Sequence, residues 1–305
     1  MLLLEIIARI LAPSLDYDRV HIHTFPEIAE KMQGGASPRI MILGNSLLLH
    51  GVDQTLLQEN ISTALSRPCS VFKITPVATA TRDWHYLYDT YFTQSENHPD
   101  IVVIGFVGHH LPDQYELKIR RLTRHFCSLE NLGSCLSDEG RSLDERAIGF
   151  LSHFSALFGD QRTHQWHVSS ATIPQFGPGV SRLNNILDAA QIRPAANRRD
   201  DPSTPAPPTR SYRKLTHLIK TLKKHGVDPY FVPMPQPELW TVDPAARATI
   251  EEHGATLIDL AVSPRMQESD FSDGYHLGET GKTRFTSFLA SVLSEELSSI
   301  ENPAP

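Results

Sequence analysis

Hydrophobic positions along the chain gather into five short continuous runs: Arg39 to Leu43 (RIMIL), Val71 to Thr75 (VFKIT), Ile101 to Gly105 (IVVIG), Pro229 to Val232 (PYFV) and Thr256 to Leu260 (TLIDL). Each is bounded by turn formers. Continuous rather than alternating hydrophobicity predicts strands covered on both faces, as in a parallel sheet between helices. Between the runs the pattern turns helical. Residues 53–65 open on Asp53, an N-cap type, ahead of a periodic apolar pattern. The segments 213–225 and 245–253 stop at Gly226 and Gly254, as helices with a left-handed final residue do. Strand and helix alternate, which predicts an α/β fold with a doubly wound parallel sheet of about five strands.

Three regions divide the chain on this reading: an apolar lead-in (1–38), an α/β domain (39–111 and 210–300) and an excursion between its third and fourth strands (112–209). The first half of the excursion, through Phe158, has a helical pattern. Its end, Arg193 to Thr209, places Pro194, Pro202, Pro205, Pro207 and Pro208 among polar residues, the composition of a linker. An insertion of this length at a sheet edge is expected to cap the site.

The lead-in starts MLLLEIIARILAPSL, too short to span a bilayer and without the basic start of a signal peptide. Leu2, Ile6, Ile10 and Leu3, Ile7, Leu11 define an apolar helix face. It either docks on the domain or is the stub of a longer anchor, which leaves membrane association through the N-terminus, at a bacterial cell envelope, as one alternative to a cytoplasmic setting.

Composition alters this picture little. The 305 residues have a formal net charge of -7, which argues against nucleic acid as a partner. The basic runs 118–121 and 220–224 are expected to be solvated helix faces. Of the three cysteines, Cys127 and Cys135 are near enough in sequence to close a small loop, and free buried thiols fit equally well.

Chemistry is concentrated at two places. Gly44-Asn45-Ser46 directly follows the first strand. A serine there sits where strand gives way to helix, with its own N–H turned towards the carboxyl edge of the sheet, so that one residue supplies nucleophile and oxyanion donor. Alone the tripeptide is equally a simple turn. Asp273-Gly274-Tyr275-His276 precedes the last helix. A histidine is needed to take the serine proton, and an acid to fix its tautomer. Separately, the pair reads as a capping Asp and a surface His.

Together the two motifs resemble the first and last sequence blocks of the SGNH (GDSL-like) hydrolases, over residues 39–111 and 212–297. The resemblance implies a flavodoxin-like sheet of order 2-1-3-4-5, with Ser46 as nucleophile, His276 as base and Asp273 as its orienting acid, and no metal or cofactor. The chain departs from the family at Asn45, where Asp is usual. It departs again after the second strand, where Pro76 to Thr81 replaces a glycine turn and a backbone N–H of Ala78 or Thr79 has to serve. After the third strand Val107 stands in place of an asparagine donor. Gly105, His109 and His110 are the remaining oxyanion candidates there. The overall layout is similar to SGNH-like proteins that O-acylate bacterial polysaccharides, which implies an acylated carbohydrate or other small acyl ester as partner. Hydrolysis, transfer to a sugar hydroxyl and non-catalytic binding are the three functional expectations. Asn45, Trp84 and Tyr86 are candidates for substrate contact, with Trp84 and Tyr86 either stacking on a sugar or packing a helix. Two histidine pairs, His21/His23 on an extended segment and His164/His167 on a helix, lack the further ligands a metal site needs.

Overall fold

The computed structural model describes residues 2–11, 16–93, 98–115, 117–160, 210–259 and 263–301. Five parallel strands, β1 (Arg39–Leu43), β2 (Ser70–Ile74), β3 (Ile101–Phe106), β4 (Asp228–Pro233) and β5 (Thr256–Leu257), form one sheet in the order β2-β1-β3-β4-β5. This is the doubly wound α/β architecture. Along β1, Ile40 and Ile42 enter one core, and Met41 and Leu43 enter the other. All four positions from Ile40 to Leu43 are therefore buried, which explains why the hydrophobicity is continuous. The last strand stops after Leu257, short of the expected end, and Leu260 lies outside the described residues.

The helices start and stop for local reasons. Asp53 accepts a 3.0 Å hydrogen bond from the Leu56 N–H and caps the helix Gln54–Ala64. The helices Arg213–Lys224 and Pro244–Glu252 end two residues before Gly226 (φ +72) and Gly254 (φ +76). In each, the following N–H reaches back to the last turn: Val227 to the Leu222 carbonyl and Ala255 to that of Ile250, both at 3.1 Å. One face of the sheet packs against the helices Phe25–Gln33, Thr81–Phe92 and Arg213–Lys224. The other packs against Ser46–Gly51, Gln54–Ala64 and the long C-terminal helix Glu279–Glu301.

Beyond β3 the described part of the excursion is helical: Ile119–Arg121 running into a wider turn over Leu122–Phe126, then Leu132–Glu139, Leu143–Phe154 and Ala156–Gly159. Leu122, Phe126, Cys127 and Cys135 join the same core as Trp84 and Tyr88, so this stretch is packed on the domain. Cys127 and Cys135 are free buried thiols, as is Cys69. The proline-rich end of the excursion and the pair His164/His167 lie outside the described residues.

A buried ion network fastens the excursion to the sheet's helices. The Glu139 carboxylate receives Arg82 (Nε to Oε2, 2.8 Å), Lys214 (Nζ to Oε1, 2.9 Å) and the Tyr86 hydroxyl (3.1 Å). Removing the acid leaves the buried Arg82 guanidinium without a counter-charge and Lys214 with only the half-exposed Asp138, at 3.2 Å. Glu139→Ala is therefore expected to cost about 3–5 kcal/mol of stability. Urea denaturation of variant and parent checks this, and equal midpoints would contradict it.

At the N-terminus the helix Leu2–Leu11 is held by polar contacts. Glu5 accepts from the N–H groups of Ala156 (2.7 Å) and Leu157 (3.2 Å) and from the Ser155 hydroxyl (2.8 Å), capping the neighbouring short helix. Leu3, Ile6, Ile7 and Ile10 stay exposed, so these four members of the expected apolar face do not dock on the domain. Among the described residues no helix is long and apolar enough to cross a membrane.

Candidate active site

The site is built where β1 and β3 lie side by side and their connections leave in opposite directions, the place where such sheets bind ligands. Gly44 and Gly105, at the ends of these strands, leave room for Leu48: a Cβ on either would lie 2.6 Å or less from its side chain. With Leu48 sunk between the strands, the helix Ser46–Gly51 sits low on the sheet and begins at Ser46. Asn45 caps it, its Oδ1 accepting the Leu47 N–H at 3.0 Å. Its Nδ2 donates to the Thr79 carbonyl at 2.9 Å and faces the His110 ring. An aspartate lacks that second donor, which gives the asparagine at this position a physical reason. Lys73 of β2 closes the other end of the helix, donating to the carbonyls of Leu49 (2.8 Å) and Val52 (2.5 Å). Burial, with Lys282 nearby, draws its ammonium down to about 8.

The C-terminal loop brings the other two groups. Phe271 and Leu277 pair across it, Gly274 turns it at φ +79, and Ser272 N–H donates to the His276 carbonyl at 2.9 Å. The Asp273 Oδ1 accepts the N–H groups of Tyr275 (3.0 Å) and His276 (2.7 Å), which fixes the carboxylate within its own turn. Its Oδ2 lies 2.8 Å from His276 Nδ1, and His276 Nε2 lies 2.9 Å from Ser46 Oγ. Burial pushes the Asp273 carboxyl up, but the hydrogen bonds from the His276 and Tyr275 backbone and the His276 ring outweigh it and hold it at about 2. The carboxylate is thus ionised at any pH near neutral, and the lone pair it presents puts the ring proton on Nδ1. His50 stands beside His276, ring centroids 4.9 Å apart.

On the opposite rim lies the loop after β2. Thr79 Oγ1 donates to the carbonyls of Pro76 (2.7 Å) and Gly44 (3.2 Å), which ties the loop to the turn before Ser46. Ala78 has φ +50, the left-handed conformation that glycine usually occupies. The N–H groups of Ser46, Ala78 and Thr79 meet no acceptor among the described residues.

Other residues singled out by sequence fall elsewhere. Trp84 is fully buried, its indole N–H donating to the Gly44 carbonyl at 3.1 Å, and Tyr86 belongs to the Glu139 network. Neither offers a face to a sugar, so both are corrected to packing residues. Asn45 is likewise buried and serves as cap and brace. Gly105 lies within β3, paired with Val232, beneath Leu48. Buried His110 accepts the Val107 N–H at 3.2 Å on Nδ1 and supports Asn45. Burial, with His109 beside it, holds its pKa at about 3, so it is a neutral brace. Exposed His109 stacks on Tyr115 at 5.9 Å. His21 and His23 lie on a helix rather than an extended segment, and His21 Nε2 accepts the Thr75 N–H at 3.0 Å. Among the described residues no group of three or more ligand-type side chains is placed to hold a metal. Arg121, read as part of a solvated run, is buried.

Beneath the same loop, Asp83 accepts the Ala80 N–H at 3.1 Å, and burial pushes its carboxyl up to about 6. The folded state therefore favours the protonated acid. That contribution is complete below the unfolded value near 3.8 and is lost as pH rises through about 6. Asp83→Asn, which keeps the acceptor without the charge, is expected to gain on the order of 2–3 kcal/mol relative to the parent between pH 4 and pH 7. Denaturant titrations at both pH values test this. An unchanged difference between the two proteins would refute it.

No family model matches the chain, and no curated protein matches it. Among solved structures, a similar chain is the lipase/acylhydrolase from Enterococcus faecalis, 12% identical over 85% of this chain and 96% of that one, with a TM-score of 0.33. A likeness of that size decides nothing by itself. The sheet order and the geometry around Ser46 are what the functional reading rests on.

Proposed function

We propose that the chain is a serine ester hydrolase of the SGNH type that removes a small acyl group through an acyl-serine intermediate. One observation carries this reading: Ser46 Oγ, His276 Nε2 and Nδ1, and Asp273 Oδ2 stand in sequence at 2.9 and 2.8 Å. Ser46 Oγ attacks the acyl carbonyl as Nε2 takes its proton, and the carbonyl electron pair moves to oxygen. The new oxyanion is met by the N–H of Ser46 and by those of Ala78 and Thr79, backbone donors that serve without the asparagine side chain. His276 then returns the proton to the departing alkoxide. Water repeats the steps in reverse and releases the acid.

A cleft of about 670 Å³ opens beside His50 and is lined by Asp16, Tyr17, Asp18, Leu49 and Val77. Tyr17 is 65% exposed, and with the Asp16 carboxylate it offers an aromatic face and an acceptor suited to a sugar alcohol as the leaving group. The same acyl-serine would pass to a sugar hydroxyl in a transferase. Incubation with 4-nitrophenyl acetate, with and without oligosaccharide acceptors, separates the outcomes. Acetate as the product at every acceptor concentration supports hydrolysis, acetylated sugar supports transfer, and no release above buffer refutes both.

A further inference from the structure

The loop that faces Ser46 is gripped from behind by two residues far from it in sequence. Asp18, on the helix Tyr17–His23, accepts the Val77 N–H on Oδ1 at 2.7 Å. Arg121 donates from Nη1 to the Val77 carbonyl at 2.5 Å and from Nη2 to Asp18 Oδ2 at 2.6 Å. The three groups close a ring around one residue of backbone. A peptide is planar and trans, so its C=O and N–H point in opposite directions. Fixing the Val77 carbonyl on Arg121 therefore fixes the direction of the Ala78 N–H, aimed away from the guanidinium and without an acceptor among the described residues.

From the front, the loop is tied to the nucleophile's own turn by Asn45 Nδ2 to the Thr79 carbonyl and by Thr79 Oγ1 to the Gly44 carbonyl. Between these two sets of ties stands Ala78 in the left-handed region, a conformation that an alanine keeps only where its surroundings impose it. The guanidinium is itself set in place over the Phe126 ring, 5.4 Å from its centroid.

We infer that Asp18 and Arg121 are positioning residues of the active site, aiming the Ala78 N–H at the oxyanion. The inference rests on the ester-hydrolase reading above. It makes the helix Tyr17–His23 and the excursion after β3, neither of which carries a catalytic group, part of the machinery. Neither residue reaches the substrate carbonyl. Both act through the 77–78 peptide.

A readout specific to the oxyanion separates this role from a structural one. A 4-nitrophenyl ester and its thionoester pass through the same steps, but the sulfur of the thionoester accepts hydrogen bonds poorly. An enzyme that relies on backbone donors therefore prefers the oxygen ester. Asp18→Ala and Arg121→Gln are expected to lower kcat for the oxygen ester by about 10- to 100-fold with little change in KM, and to narrow the ester-to-thionoester rate ratio by about 10-fold. The milder Asp18→Asn and Arg121→Lys are expected to recover part of both. Because the ratio is internal to each sample, the fraction of variant that folds does not affect it. A parental ratio in every variant, whatever the absolute rates, would overturn the inference while leaving the hydrolase reading intact. Absence of Ser46-dependent turnover in the parent would overturn both.

Discussion

Ser46→Ala is expected to reduce ester turnover by on the order of 10⁵- to 10⁶-fold while the protein stays folded, since the groups of such a triad act as one unit. The side chain is half-buried, and its one hydrogen bond among the described residues runs to His276, so no core packing is lost with the hydroxyl. The cap of the helix comes from Asn45, whose bonds to Leu47 and Thr79 are untouched. Thermal unfolding within a degree or two of the parent, together with loss of turnover, is the expected pair of results. Residual turnover near the parental rate would mean that the reaction runs elsewhere.

Asp273→Asn is the second large effect, expected to lower kcat by about 10³- to 10⁴-fold. An asparagine keeps Oδ1 as acceptor for the Tyr275 and His276 N–H groups, so the turn survives. On the other branch an NH₂ replaces the carboxylate oxygen and donates to His276 Nδ1. The ring proton then moves to Nε2, the atom that has to accept from Ser46. The imidazolium formed during attack also loses its counter-charge. In the parent, Asp273 at about 2 stays ionised through the whole working range, so lowering the pH does not mimic the substitution until far into acid. The kcat measured at saturating substrate tests this, and a variant within tenfold of the parent would contradict it.

Particular residues show how far the sequence was legible. The strands announced themselves because a two-faced core demands apolar residues at every position, as Ile40 through Leu43 show. The helix stops at Gly226 and Gly254 were visible because their positive φ selects glycine. Ser46, Asp273 and His276 stood out as residue types at turns bordering regular elements, and the structure brings their side chains into one hydrogen-bonded row. Contacts between distant segments left no pattern. Arg121 sits in a basic run that looks like any solvated face, and only the fold shows it wrapped around Val77 with Asp18. Lys73 reads as a polar interruption in β2, yet its ammonium ends the helix that Ser46 begins. His50 is visible as a neighbour of His276 only in the fold, which sets the two rings 4.9 Å apart. Trp84 and Tyr86 misled in the other direction: an aromatic cluster after a strand suggests a sugar platform, whereas their polar atoms are used inward, on Gly44 and Glu139. The same holds for the leading apolar helix, where Glu5 caps a neighbour while Leu3, Ile6, Ile7 and Ile10 stay exposed.

The central claim is that Ser46 is a nucleophile activated by His276. Reaction of the native protein with a fluorophosphonate, followed by intact mass and peptide mapping, tests it most directly. One phosphonyl adduct, located on Ser46 and missing from both His276→Ala and Ser46→Ala, is the predicted result. An unmodified Ser46 after prolonged exposure, or labelling that proceeds as fast without the His276 imidazole, would contradict it.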